Sequence, residues 1–200
     1  LVPAFLLLLC SACSQQSAEP KPQKVVQQNT PSQTLSDVSL YQLGSVWHDQ
    51  NGREVSLGSL RGKPRIVAMI FTNCTYACPR ITADMQNIGT LLPADIRDKV
   101  GFVLFSMDPE RDTPTALAAF AQKMELPSSH WTLLCSTEDN VQEMAAVLGV
   151  KYKKDEYGNF SHSNMIVILN GEGEIIYKQE GLNQDAQEAV KTLEALYAVQ

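Results

Sequence analysis

Two cysteines lie close together in the segment FTNCTYACPR, residues 71–80, where three residues separate Cys74 from Cys78 and a proline follows at once. Such a pair can open and close as a redox couple, bind a metal ion, or form an inert structural bridge. If Cys78 lies in the first turn of a helix, Cys74 lies about one turn upstream, and the two sulfurs can meet. The spacing alone therefore leaves all three kinds of chemistry open.

The segments on both sides of this pair predict alternating buried strands and helices. A continuous apolar run rich in β-branched residues, RIVAMIF at 65–71, is typical of a strand buried on both faces. After the cysteines, Ile81, Met85, Ile88 and Leu92 recur at helical spacing. Further strands are predicted in KVGFVLFSM and HWTLLC. Helices are predicted after Thr113-Pro114, as N-cap and first helical residue, and after a capping box of Ser136 and Asp139.

Two hairpins complete the predicted elements. Asn51-Gly52 is a strong turn signal between the strands of SVWHDQNGREVSL, and Asn170-Gly171 separates SNMIVILN from EIIYKQ. A last helix is expected, with Asn183 as its N-cap. This order predicts an α/β protein with a thioredoxin-like fold, a central mixed sheet, helices on both faces and an N-terminal β-hairpin extension. Cys74 then follows the carboxyl end of a buried strand, where open α/β sheets commonly place their sites.

The cysteine pair gains a candidate partner in His162, which stands in NFSHSNMIVIL directly before a buried strand. In a thioredoxin-like order this position faces the cysteines, and ordinary oxidoreductases have a proline there; this chain has no proline after Pro127. Two thiolates and one imidazole suit copper in either oxidation state, and zinc would accept the same set. A helix N-terminus near Cys78 would favour the thiolate form, which both metal binding and thiol exchange require.

Three motifs in this order, CTYACP, FSMDPERDTP and HSNMIVIL, resemble the Sco/SenC family of copper chaperones over residues 41 to 182. The resemblance implies one copper ion bound by Cys74, Cys78 and His162. It implies delivery to the binuclear copper site of cytochrome c oxidase, in a copper-receiving respiratory oxidase subunit. Asp108 would support the site or contact the partner. By the residues alone, Asp108-Pro109 can equally start a turn while Arg111 pairs with Asp112.

A second function remains open beside copper delivery. Cys74 and Cys78 could form a redox-active disulfide and act as a thiol–disulfide oxidoreductase that reduces the acceptor's cysteines through a mixed disulfide. His162 discriminates between the two, because disulfide exchange does not need a third ligand. A periplasmic copper donor or a thiol reductant would be a further partner.

The other chemically versatile side chains have structural explanations. Cys135 lies in an apolar strand-like run and is expected to be a small buried hydrophobe, as are Met69, Met85 and Met165. Trp131 is expected in the core. Tyr76, between the two cysteines, either shields the metal, contacts a partner or is merely exposed. His48 and His130 are expected at the surface.

The N-terminal region predicts export and a membrane tether. Residues 1–13, LVPAFLLLLCSAC, resemble a signal segment with a lipobox, in which Cys13 would be lipidated; FLLLLC is too short to cross a bilayer. Residues 14–37 are polar and predict a flexible tether, and residues 38–200 predict the copper-binding domain. A bacterial envelope lipoprotein facing the periplasm or the outside is expected. The formal net charge of −6 argues against a nucleic-acid partner.

Overall fold

The computed structural model describes residues 35–156, 158 and 160–198. Its main feature is a seven-stranded sheet with the strand order β2-β1-β5-β4-β3-β8-β9. The predicted signal segment and nearly all of the predicted tether lie outside the described residues. The strands are β1 (Val46–Asp49), β2 (Glu54–Ser56), β3 (Arg65–Ile70), β4 (Gly101–Ser106), β5 (Trp131–Cys135), β6 (Tyr152–Lys154), β7 (Phe160–His162), β8 (Met165–Leu169) and β9 (Ile175–Glu180).

The sheet is mixed, as predicted. Strand β4 pairs in parallel with both β3 and β5, whereas β8 runs antiparallel to β3 and to β9. All residues of β3 and β4 are buried, which explains why these strands are continuous apolar runs without alternation. The centre of the core therefore lies around the strand that leads into the cysteine loop.

The N-terminal hairpin extends one edge of the sheet, because β1 pairs antiparallel with β5. Its turn is stabilised by Asp49, whose Oδ1 accepts the backbone N–H groups of Asn51 and Arg53 at 2.8 and 2.9 Å. Gly52 has a φ of +77°, a left-handed conformation that favours glycine. The predicted hairpin and its Asn51-Gly52 turn are thus confirmed.

Helices cover both faces of the sheet. They are α1 (Ala77–Leu91), α2 (Ala94–Arg97), α3 (Pro114–Lys123), α4 (Glu138–Leu148) and α5 (Gln187–Ala198). Helix α1 packs against β3, β8 and α5. Successive side chains of a strand point to opposite faces of the sheet. In β9, Tyr177 lies near the carboxylate of Glu188 in α5. The next residue, Lys178, donates from its Nζ to the Leu148 carbonyl of α4 over 2.8 Å.

The helix starts were predicted with mixed success. Thr113 caps α3 and accepts the N–H of Ala116, and Pro114 is its first helical residue, both as predicted. The predicted cap of α4 was one residue off, since Thr137 holds that position and Ser136 instead donates its hydroxyl to the Val46 carbonyl. Asn183 does not cap α5; its N–H is bonded to Asp84, and the helix begins four residues later.

Neither the short helix α2 nor the hairpin that carries His162 was predicted. Strands β6 and β7 form a separate two-stranded hairpin, with Tyr152 opposite His162 and Lys154 opposite Phe160. His162 is therefore the last residue of a strand and not part of a loop. Across residues 35–156, 158 and 160–198, no helix has the length and apolar character needed to cross a membrane.

Candidate metal centre

The cysteine loop connects the end of β3 to the start of α1. Cys78 lies in the first turn of the helix, as the sequence suggested, and Cys74 lies four residues earlier. The N-cap position, Tyr76, makes no capping bond through its side chain. Instead the Sγ of Cys74 accepts the N–H of Cys78 over 3.3 Å. A thiol sulfur thus satisfies one of the N–H groups that a helix start leaves free.

The two thiols have different surroundings. Both are free, but Cys78 is fully buried whereas Cys74 is half-buried. Burial raises the pKa of the Cys78 thiol strongly, and the N–H of Phe71, 3.4 Å from its Sγ, offsets only part of this rise. Burial of Cys78 thus acts against the thiolate form, which a helix N-terminus would favour.

Cys74 and His162 line one open cleft of about 340 Å³ at the end of the sheet. His162 reaches it from β7, with its ring 5.9 Å from that of Phe71 in an edge-on arrangement. Its Nδ1 lies 3.1 Å from the Ser163 carbonyl. Because a carbonyl oxygen can only accept, this contact puts the proton on Nδ1 and leaves the Nε2 lone pair available to a metal.

Cys78 does not line this cleft; it lies behind Cys74. Within the part of the chain that the structure describes, no three His, Cys, Asp or Glu side chains are gathered closely enough to hold a metal ion. The structure thus brings Cys74 and His162 to one cleft and Cys78 next to Cys74, without assembling a closed coordination site.

The donor atoms around the cleft fit copper. Two sulfurs and an imidazole nitrogen are soft or borderline ligands, which copper prefers to hard oxygen donors. The cleft also contains Asn164, whose buried Oδ1 has no hydrogen-bond partner among the described residues. An unsatisfied acceptor beside His162 would be stabilised by a cation in the cleft.

Asp108 lies outside the cleft. It is fully buried, and it accepts a hydrogen bond from the Nε of Arg111 through Oδ2. Its N–H donates to the Ser106 hydroxyl over 3.0 Å. The alternative pairing of Arg111 with Asp112 is not what the structure shows, since Arg111 bonds Asp108 and the Gly158 carbonyl.

Asp112 was missed as a residue that supports the cysteine loop. It is buried and accepts bonds from the hydroxyl of Thr72 at 2.5 Å, the N–H of Thr72 at 3.1 Å and the hydroxyl of Ser106 at 2.5 Å. Thr72 is two residues before Cys74. Asp112 thus ties the cysteine loop to the end of β4. The motif DPERDTP contained this residue, but nothing in its spacing showed which carboxylate would face the loop.

The remaining predictions about single residues are mostly confirmed. Cys135, Met69, Met85 and Trp131 are buried in the core, and Met165 is half-buried against it. Cys135 and His48 line a second cleft of about 730 Å³. Tyr76 lines the first cleft, beside Cys74 and His162, and is 70% exposed.

The SCO1/SenC family model matches residues 43–198, a range that contains both cysteines, Asp108 and His162. The chain belongs to the SCO1/SenC family. Among curated relatives of this SCO1/SenC protein, the SCO1 protein homolog of Bacillus subtilis is 30% identical over 139 residues, covering 68% of this chain and 72% of the relative. A Stutzerimonas stutzeri protein named for copper binding is 27% identical over 131 residues, covering 64% and 63%.

Solved structures show the same fold. A SCO1/SenC family lipoprotein of Bacillus anthracis superposes with a TM-score of 0.69 at 26% identity, covering 76% of this chain and 92% of that one. BsSco, described with a disulfide switch as a member of the Sco family of cytochrome c oxidase assembly proteins, has a TM-score of 0.67 at 27% identity, covering 78% and 92%. The thioredoxin-like fold predicted from the sequence is confirmed.

Proposed function

We propose that this SCO1/SenC protein binds one copper ion through Cys74, Cys78 and His162 and delivers it to the binuclear copper site of cytochrome c oxidase. The observation that carries this proposal is the cleft in which Cys74, from the β3–α1 loop, meets His162, from β7. A copper-binding name in one relative and oxidase assembly in the description of another support it.

Copper here is cargo, and an open cleft suits cargo. A ligand of the acceptor must approach the bound ion while this protein's ligands leave, which a closed coordination sphere would hinder. Cys74 and His162 are reached from solvent, whereas Cys78 is not. We infer that the acceptor displaces His162 or Cys74 first and Cys78 last. Copper binding must also release the Cys78 proton, because the metal ligand is the thiolate.

The second candidate is thiol–disulfide exchange by the same two cysteines. It is favoured by the contact between the Cys78 N–H and the Cys74 sulfur, and by the disulfide switch described for BsSco. The Cys74 thiolate would attack a disulfide of the acceptor and form a mixed disulfide, releasing one acceptor thiolate. Cys78, losing its proton, would then attack Cys74. The acceptor leaves as a dithiol, and Cys74–Cys78 becomes a disulfide that a thiol reductant of the envelope must reduce.

Titration with Cu(I) and Cu(II) separates these functions. In reduced protein, His162→Ala should weaken Cu(II) binding strongly. Loss of a group that only supports a metal ligand typically costs about 10–100-fold in affinity, and loss of the ligand itself should cost at least as much. The substitution should also change the thiolate-to-copper absorption, yet keep a reducible Cys74–Cys78 disulfide. Cys74→Ser and Cys78→Ser should each lose both properties. His130→Ala is the matched control, since His130 lies away from the cleft beside Asp98.

If His162→Ala binds copper like the unaltered protein and still reduces a partner disulfide at the normal rate, the ligand assignment fails. The oxidoreductase function then takes its place.

We also propose that Cys13 is lipidated and that the protein is tethered to a membrane of the bacterial envelope, facing the periplasm or the outside. The residues that precede Cys13 and the polar stretch after it support this, and a B. anthracis relative is described as a lipoprotein. Mass spectrometry of the protein from membranes should find a diacylated Cys13. Cys13→Ser should release it, whereas Cys10→Ser should not. An unmodified Cys13 in the membrane-derived protein would refute the anchor.

A further inference from the structure

We propose that Arg111 is a positioning residue for His162: it attaches the β6–β7 hairpin to the end of β4 and so holds the imidazole over the cleft that contains Cys74. This inference rests on the proposed copper function, which it extends to a residue that does not touch the metal.

The hairpin that carries His162 needs such an attachment. Strands β6 and β7 are not paired with the seven-stranded sheet, and an isolated two-stranded hairpin is marginal at best in water. Besides the two-residue link from His162 to β8, its position relative to Cys74 therefore depends on side-chain contacts with the body of the protein. Those contacts gather on Phe160, two residues before His162 and on the same face of β7.

Phe160 links the hairpin to the cysteine loop. Its ring centroid lies 5.1 Å from that of Phe71, the residue directly after β3, and Phe71 in turn lies 5.9 Å from the His162 ring. Three rings thus form a row that ends at the imidazole. A shift of Phe160 would move His162, because the two residues belong to one strand.

Arg111 binds this hairpin at two points. Its Nη2 donates to the carbonyl of Gly158, in the β6–β7 turn, and its guanidinium lies 5.8 Å from the centroid of the Phe160 ring. Gly158 is 47 residues away along the chain. A hydrogen bond and a cation–π contact from one side chain define both the position of the turn and that of the ring.

Arg111 is itself held rigidly. Its Nε donates to the Oδ2 of Asp108, which is fully buried two residues after the end of β4. The planar guanidinium presents several N–H donors in a fixed geometry, so one part of it can bind the carboxylate while another binds the carbonyl. A lysine presents its donors from one nitrogen and lacks the separate Nε and Nη2 that make these two bonds. Asp108 then supports the site through Arg111 and not by contact with the metal.

Lys154 provides a matched control on the same ring. Its Nζ lies 5.8 Å from the Phe160 centroid, on the side of Glu110, with which it forms an ion pair of 2.5 Å. This pair is largely at the surface, with the Glu110 side chain 68% exposed. Exposed ion pairs contribute little to stability. Lys154 therefore shares the positive charge and the ring contact with Arg111 but lacks a bond to a buried carboxylate.

A double-mutant cycle on Cu(II) affinity tests the proposal. Arg111→Met should weaken binding by about 10–100-fold when His162 is present, as expected for a group that orients a ligand. In the His162→Ala background, Arg111→Met should have no further effect. Lys154→Met should change the affinity by less than about fivefold in either background.

Removing Arg111 alone leaves the Asp108 charge buried and can unfold the protein. The variant Asp108→Asn/Arg111→Met removes both charges and should show the same dependence on His162. In the copper-free protein, amide hydrogen exchange should accelerate in Tyr152–Lys154 and Phe160–His162, while Trp131–Cys135 keeps its protection.

The outcomes are distinct. Equal losses of copper affinity with and without His162, or unchanged exchange in the hairpin, would overturn the role of Arg111. The proposed function fails instead if the unaltered protein binds no copper, or if His162→Ala binds copper as tightly as the unaltered protein. The hydrogen-exchange comparison on copper-free protein then still decides whether Arg111 holds the hairpin.

Discussion

The backbone N–H of Cys78 donates to the sulfur of Cys74 over 3.3 Å, so the two cysteines are joined by a hydrogen bond across the start of α1. The bond makes the pair asymmetric. The sulfur of Cys74 accepts a helix N–H and faces the cleft. Cys78 is enclosed, and its burial is the main cause that raises its pKa. We therefore expect Cys74 to be the sulfur that reacts first with an incoming group.

We expect this asymmetry to appear in thiol labelling. In the native, reduced protein, iodoacetamide should modify Cys74 before Cys78 and Cys135, because the thiolate is the reactive form and Cys74 is the most exposed of these three cysteines. Cys78 and Cys135 are buried and should be modified mainly after denaturation. Peptide mass spectrometry over a time course measures all three rates. Modification of Cys78 as fast as Cys74 would contradict the asymmetry.

Asp112 should make stability depend on pH in an unusual direction. Burial raises its pKa, with Asp108 adding to the rise, and the bonds from Ser106 and Thr72 offset only part. The folded protein therefore binds a proton at Asp112 more readily than the unfolded chain does. The contribution of Asp112 to the free energy of unfolding should fall as pH rises from about 3.9, the ordinary value, through the folded pKa.

Asp112→Asn removes this titration because an amide does not ionise. Its oxygen can still accept from Thr72, and its NH2 group can donate to the Ser106 hydroxyl. Urea unfolding of both proteins between pH 4 and pH 8 measures the difference. We expect the wild type to lose stability relative to Asp112→Asn as pH rises over this window. A relative gain by the wild type would show that the pKa is lowered.

Gly89→Ala should destabilise the protein, although alanine is normally better than glycine in a helix by about 1 kcal/mol. A Cβ at Gly89, on the buried side of α1, would lie 2.7 Å from the tip of the Phe102 ring. That ring is stacked on Trp131 at 4.4 Å and cannot easily move. We expect a net loss of about 1–3 kcal/mol, as for other overpacked cores.

The control for this substitution is Gly44→Ala, where the added Cβ would meet no atom within 4 Å. Thermal and urea unfolding of this variant should stay within about 0.5 kcal/mol of the wild type. If Gly89→Ala is as stable as Gly44→Ala, the contact between α1 and β4 is looser than the structure shows.

Tyr76→Ala should separate copper binding from delivery. Tyr76 borders the cleft and is 70% exposed, so its removal should leave both the free energy of unfolding and the Cu(II) affinity nearly unchanged. Exposed aromatic residues beside a site commonly contact partners. Transfer of copper to the oxidase subunit should therefore slow down. Leu91→Ala, exposed at the far end of α1, should transfer copper at the normal rate.

The sequence alone indicated the elements whose cause is local. The buried strands, the Asn51-Gly52 turn and the Thr113-Pro114 helix start were predictable, because each depends on a few neighbouring residues. Cys74 and Cys78 were placed correctly for the same reason, as both lie within one helix turn of each other. Where several polar residues competed, as at Ser136 and Thr137, the local signal did not select the cap, since both hydroxyls had a possible partner.

Only the tertiary structure decided how the two sides of the site are held together. The β6–β7 hairpin has short, partly charged strands without a strong apolar pattern, and its contact with the body of the protein, such as that of Phe160 with Phe71, is not visible in the sequence. The bonds from Arg111 to Gly158 and from Thr72 to Asp112 join residues 47 and 40 positions apart. The burial that raises the pKa of Cys78 likewise comes from the packed core around it. Such contacts exist only once the fold has brought the ends of β3 and β4 and the separate β6–β7 hairpin together.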